Sequence, residues 1–265
     1  AREGLRQAVA ASHRPPATHH QQGVSMPDLT GRVAIVTGST KGIGLAIAEA
    51  LVEEGASVAV CARTEDDVWA TVERLEPYAE GQVVGIPTDV SDPEACAELV
   101  HETVDRLGSL DLLVNNAGLG VFKSIEEMTV EEWRRQIDVN LGGVFYCSKA
   151  AIPHLKESDD AWIINIGSLA GRNTFAGGSG YNASKFGLVG MTEATMLDVR
   201  HEGIRVSLIM PGSVNTYFGG REQQAERDWR LQGEDCARTV LQLLDYPKGA
   251  HVSRVEMRPA QPPKG

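Results

Sequence analysis

From Leu29 onward the chain alternates short β-branched runs with longer amphipathic segments, and that alternation leaves few architectures open. The runs are RVAIVT (32–37), ASVAVCA (56–62), QVVGIPT (82–88), LDLLVNN (110–116), AWIINIGS (161–168), IRVSLIMP (204–211) and HVSRVEM (251–257). Most are apolar nearly throughout instead of alternating with polar residues, as strands covered on both faces must be. Helical segments stand between them: IGLAIAEALVEEG after the first, PEACAELVHETVDRLG after the third, and a long stretch over roughly 130–155. The rhythm predicts a single α/β domain over residues 28–258, with a doubly wound parallel sheet and helices on both faces. In such a sheet a ligand lies outside the carboxyl ends of the strands, so chemistry-bearing residues should cluster just after them.

Composition narrows the function classes. With a net charge of −11 and no basic stripe, the chain is not built for nucleic acid. No apolar run approaches the roughly 20 residues that span a bilayer. The four cysteines are scattered, with no CxxC pair, and read as buried small hydrophobes in a reducing, cytoplasmic setting. The seven histidines lack ligand spacing, so no metal site is expected. Residues 1–27 carry Pro, Gln, His and Ala without periodicity and read as a disordered extension, and 259–265 as a short tail.

After the first strand comes TGSTKGIG (37–44), running directly into the first helix. Gly38, Gly42 and Gly44 let backbone approach a pyrophosphate and let the helix sit close on the strand. Ser39 and Ile43 belong to the same loop, and the helix N-terminus would offer free N–H groups and a positive dipole end to the phosphates. This is the dinucleotide cradle of a Rossmann-type fold. The second strand ends in VCAR, placing Ala62 where an acidic residue would hold the ribose of NAD, with Arg63 next to it. Lys41 adds a second cation. The pair favours NADP(H) over NAD(H), although Glu65, Asp66 and Asp67 follow closely, unless the next helix turns them away.

Tyr181 and Lys185, in YNASK, stand one helical turn apart on one face. A phenol beside a cation is a proton donor brought toward working pH. Along the chain stand TGSTKGIG, Asp89–Val90, NNAG (115–118), Asn140, Ser168, YNASK thirteen positions beyond Ser168, and PGSVNT (211–216). From Leu29 to about Met257 the chain thereby resembles the short-chain dehydrogenase/reductase family in its shorter form.

The resemblance implies hydride transfer between NADP(H) and a carbonyl or secondary alcohol. Tyr181 would donate or accept the proton, and Lys185 would lower its pKa and bind the nicotinamide ribose. Ser168 would hold the carbonyl oxygen, and Asn140 would hold a water feeding protons to Lys185. Asp89, with Val90 beside it, would take the adenine amino group. Asn116, Ala117 and Gly118 would line the cofactor. Pro211, Gly212, Val214 and Thr216 would shape its nicotinamide end. Proteins of this kind assemble as dimers or tetramers, here through helices near 130–155 and 180–201.

The substrate is written less plainly. Segments 119–122, 169–180 and 217–231 should wall the pocket. The last is short and polar, with Gly219 and Gly220 as a hinge and Tyr217, Phe218 and Trp229 as its main apolar residues, which suggests an open site and not a steroid pocket. A 3-oxoacyl thioester fits the resemblance, but the ending VEMRPAQPPKG resembles that of a subgroup of NADP-dependent reductases acting on small hydroxy acids, aldehydes or ketones. Arg134, Arg135 and Arg172 could receive an acidic carrier, or simply be solvated. The alternative to an enzyme is a non-catalytic NADP-binding regulator or scaffold, which would have no need of all four of Asn140, Ser168, Tyr181 and Lys185. Sugar-nucleotide epimerases are a weaker third choice, since they need a longer C-terminal region.

Overall fold

The computed structural model describes residues 26–216, 218–220 and 229–262. Most of the expected N-terminal extension and the end of the tail therefore lie outside the described residues. In chain order the elements are β1 (Val33–Thr37), α1 (Gly42–Glu53), β2 (Ser57–Cys61), α2 (Glu65–Leu75), β3 (Val83–Gly85), α3 (Pro93–Leu107) and β4 (Leu112–Asn115). Then follow α4 (Val130–Ile137), α5 (Gly143–Leu155), β5 (Trp162–Ile166), α6 (Ser179–Val199), β6 (Arg205–Pro211), α7 (Gly233–Leu244) and β7 (Arg254–Met257). The sheet runs β3-β2-β1-β4-β5-β6-β7, and every pairing is parallel. Strand order reverses between β1 and β4, which marks the switch point.

The apolar runs become strands because both their faces are covered. Ala34 and Val36 of β1 pack on one side with Ile47 and Leu51 of α1, Val68 of α2 and Val240 of α7. Ile35, pointing the other way, packs with Leu99 of α3 and Cys147 and Ala151 of α5. Val144 of α5 and Leu188 of α6 close over Leu208 and Met210 of β6. On α5 and α6, Phe145, Phe186 and Leu197 remain exposed, on the two helices expected to carry subunit contacts. No helix among the described residues is long and apolar enough to cross a membrane.

The helix starts differ in a way that matters later. Asp92 caps α3 by accepting the Glu94 N–H at 2.9 Å, and Thr129 with Glu132 forms a capping box on α4. Lys41, at the start of α1, provides no side-chain cap, and the first turn of α1 carries no acid. Between α4 and α5 the long helical region loosens into a π-helical turn, Asp138–Gly142, that contains Asn140.

A buried polar string braces the centre of the sheet. Asn115 donates to Asn165 at 2.9 Å and to Ser148 at 3.1 Å, and Asn165 donates to Thr192 at 2.9 Å. It ties β4 and β5 to α5 and α6, the elements that carry the site. Replacing Asn165 with Ala should cost about 1–3 kcal/mol, because Asn115 and Thr192 lose buried partners. Urea unfolding checks this, and a loss near zero would mean that the string does not brace the sheet.

Candidate active site

The carboxyl ends of β1 and β4 are tied together at the switch point. Thr37 Oγ1 accepts the N–H groups of Asn116 and Ala117 at 2.9 and 3.0 Å. The Asn116 side chain donates back to the carbonyls of Thr37 and Gly38 at 2.9 and 3.1 Å. Gly38 then turns with φ 64°, and a Cβ on Gly44 would collide with the Gly38 carbonyl and the Asn116 amide. The glycine loop and the first turn of α1 are thus pressed against β4. The uncapped N–H groups of α1 are left to an outside partner.

A cavity of about 950 Å³ opens over these strand ends. Of the residues expected to bind a cofactor, Gly38, Lys41, Gly42, Ile43, Arg63, Asp89, Val90, Asn116, Ala117, Gly118, Pro211, Gly212, Val214 and Thr216 line it. Ser39 does not. It is fully buried, and its Oγ accepts the Cys61 N–H at 2.9 Å, so it anchors the glycine loop to β2 instead of facing a ligand. Gly44 also stands behind the wall, where its lack of a side chain serves packing.

At the β2 end, Arg63 and Lys41 are exposed and form no ion pair among the described residues. Asp67 also reaches the wall, so α2 does not turn all three acids away. Asp89 stays ionised despite some burial: Ser91 donates to it from N–H at 3.0 Å and Oγ at 2.7 Å, and the charges of Arg63 and Arg135 assist. Together these hold its carboxyl below the ordinary carboxylate range.

Ser168, Tyr181 and Lys185 meet at the cavity floor. Burial pushes the Tyr181 phenol above its usual value, and a hydrogen bond with Ser168 pulls the other way. Lys185, buried with its ammonium donating to the Ile166 carbonyl at 3.1 Å, is depressed to about 8. Its Nζ lies 5.8 Å from the Tyr181 ring centroid. The expectation that the lysine charge draws the phenol downward is therefore not met by these groups alone, because burial dominates at both.

Asn140 is fully buried and does not reach the cavity. It accepts the Leu119 N–H and donates to the Leu119 carbonyl, both at 2.8 Å, and donates to Ser184 at 3.0 Å. Its side chain clamps the loop after β4 against α6. That clamp sets Gly118 beside the lysine, since a Cβ on Gly118 would lie 3.9 Å from Lys185 Nζ.

The expected wall segments do supply cavity residues: Phe122, Phe175, Phe218 and Trp229. The third segment is held where it rejoins the fold: the Asn215 N–H donates to the Leu231 carbonyl at 2.8 Å, and the Leu231 N–H donates to the Ser213 carbonyl at 3.0 Å. Sequence reasoning missed Arg258, Pro259 and Pro262, which also line the cavity. The signal was available, because β7 lies beside β6 and a proline-rich segment leaving it is stiff. Arg172 donates to Glu256 at 2.6 Å, and Arg258 binds the same carboxylate at 2.9 Å.

Comparison with known proteins matches this arrangement. Residues 32–227 fit the family model of the short chain dehydrogenases. The chain belongs to the short-chain dehydrogenase family of oxidoreductases. It is 34% identical to an uncharacterized oxidoreductase of Staphylococcus aureus over 234 residues, 88% of this chain and all of that one. An uncharacterized oxidoreductase of Staphylococcus saprophyticus is 33% identical, again over 88% of this chain and all of the relative. Among solved structures, the alcohol dehydrogenase of Thermococcus sibiricus complexed with 5-hydroxy-NADP superposes with TM-score 0.82 at 31% identity, covering 88% of this chain and 99% of that one. A metagenomic short-chain oxidoreductase in complex with NADP gives 0.78 at 32% identity, over 89% of this chain and all of that one.

The buried lysine gives this site a pH signature. With Lys185 near 8 in the fold and about 10.4 in the unfolded chain, the unfolded state binds more protons between those values. Lys185 should therefore make stability rise with pH across that window, having cost stability below it. Urea unfolding of wild type and Lys185→Met at neutral and at strongly alkaline pH checks this: the rise should shrink in the variant, and an identical rise in both would show Lys185 to be unperturbed.

Proposed function

We propose that this short-chain dehydrogenase transfers hydride between NADP(H) and a carbonyl compound or secondary alcohol. The observation that carries the reading is one cavity holding both chemistries: a glycine loop, an uncapped α1 and the free cations Lys41 and Arg63 at one end, and Ser168, Tyr181 and Lys185 at the other. The residues fit the cofactor, since the close approach of Gly44 and Gly38 leaves backbone instead of side chains along the phosphate path. The similar solved structures hold NADP or 5-hydroxy-NADP. Lys41 and Arg63 would take the 2′-phosphate, and the bound nicotinamide would supply or accept the hydride.

In the reductive direction, the carbonyl carbon gains a hydride and its oxygen takes the Tyr181 proton. The Ala170 N–H, 3.1 Å from Ser168 Oγ, holds that oxygen in place while the hydroxyl proton is offered to the developing alkoxide. Lys185 stabilises the tyrosinate that remains and returns a proton to it, for which a value of about 8 suits a group that must both hold and release one. Asn140 positions the loop around this exchange.

NADPH and NADH oxidation against a panel of carbonyls tests the reading, with Tyr181→Phe as the blank. The panel spans an acetoacetyl thioester, keto acids, semialdehydes, diketones and aromatic aldehydes. Tyr181→Phe should lower kcat by about 100-fold or more and leave NADPH binding nearly intact. Tight binding without turnover of any carbonyl would overturn the enzyme reading. Removing Arg63 and Lys41 together should weaken NADPH binding about 100-fold or more, since each charged hydrogen bond contributes about 1.5–3 kcal/mol, while NADH binding barely changes. Equal losses for the two cofactors would defeat the assignment of these cations to the 2′-phosphate.

A further inference from the structure

The cavity wall above Tyr181 is aromatic to a degree that proton transfer does not require. Phe122 from the loop after β4, Phe175 from the loop after β5 and Phe218 from the segment after β6 converge there. The Phe122 ring lies 5.8 Å from Phe175 at 52°, 6.4 Å from Phe218 at 61° and 5.5 Å edge-on to Tyr181. Phe218 is itself 5.5 Å from Tyr181. These are tilted and edge-to-face contacts, which leave ring faces and edges available to a further ring.

Two more observations set this cluster apart from ordinary packing. Phe122 and Phe175 stay 39% and 46% exposed although each lines the cavity, and apolar surface kept open at a cavity is recognition surface. The backbone is also stripped to admit the rings. A Cβ on Gly120 would lie 2.7 Å from Phe122 and 2.8 Å from Phe218, and one on Gly219 would lie 2.7 Å from Phe122.

We infer that the substrate is a carbonyl compound carrying an aromatic ring, held by Phe122, Phe175 and Phe218 with its carbonyl at Ser168 and Tyr181. This rests on the reductase reading above and adds the substrate class to it. Tilted walls gain more from a flat ring than from a saturated ring or chain of equal bulk, because the quadrupoles of the rings add to the area buried.

The decisive comparison is NADPH oxidation with phenylacetone and with its cyclohexyl counterpart, whose carbonyls are equally reactive because neither is conjugated to its ring. The phenyl compound should be favoured by about tenfold in kcat/KM. Phe122→Leu and Phe175→Leu should each raise KM for phenylacetone and cut that preference to about threefold or less. Equal efficiency in the wild type, or a preference that survives both substitutions, would overturn the aromatic assignment while leaving the reductase reading intact.

If no carbonyl is turned over, the reductase reading fails instead. Calorimetric titration of phenylacetone into NADPH-loaded Tyr181→Phe then tests the wall by itself. Binding that weakens with Phe122→Leu supports the assignment, and absence of binding sinks it.

Discussion

The hydrogen bonds joining the ends of β1 and β4 are the constraint on which the site depends. Four of them involve the Thr37 hydroxyl, which accepts the Asn116 and Ala117 N–H groups, and the Asn116 amide, which donates to the Thr37 and Gly38 carbonyls. They close the switch point of the sheet, where parallel strands diverge and backbone groups would otherwise be left unpaired. The same amide sets the height of the Gly38 carbonyl, and that carbonyl leaves room for no side chain on Gly44. The start of α1 is fixed in turn, and with it the N–H groups and dipole end that meet an anion. One bonding pattern therefore decides both how the sheet ends and where a phosphate can lie.

On the far side of the cavity the governing effect is desolvation. Lys185 and Tyr181 both lie in the protein, and burial opposes the charged form of each. Two neutral groups side by side would be inert. The surroundings correct this in opposite senses: Ser168 draws the phenol down, and the Ile166 carbonyl accepts from the ammonium. Burial still prevails at both, holding the phenol above its usual value and Lys185 at about 8. Asn140 contributes by position, holding the Leu119 backbone by both its N–H and its carbonyl. The loosened π-helical turn places that amide where a regular helix would carry it elsewhere.

How much of this could be read from the sequence followed physical range. The strands were legible because burial on both faces demands unbroken apolar runs, and the motif residues because each sits within a few positions of a strand end. Side-chain direction was not. Ser39 stands amid cofactor-lining neighbours, yet it turns to Cys61, because the end of β2 has backbone groups that need a partner. Asn140 was found, but its bond to Leu119 was not, since that partner lies 21 residues away in a loop without periodicity. The relation of Tyr181 to Lys185 was legible as spacing, but the dominance of burial over charge depends on what covers them.

The aromatic wall was the least legible feature, and the reason bears on how such sites acquire specificity. Phe122, Phe175 and Phe218 belong to three loops, each polar or glycine-rich when taken alone. Only the parallel sheet, which delivers successive loops to one edge, brings them together. The phosphate end of the cavity is made from backbone and helix ends that the fold dictates, and so varies little without disturbing β1, β4 and α1. The wall is made of side chains on segments that the core does not constrain. The fold can therefore hold the phosphate end of the cavity fixed while loop side chains alone shape the pocket beside Tyr181.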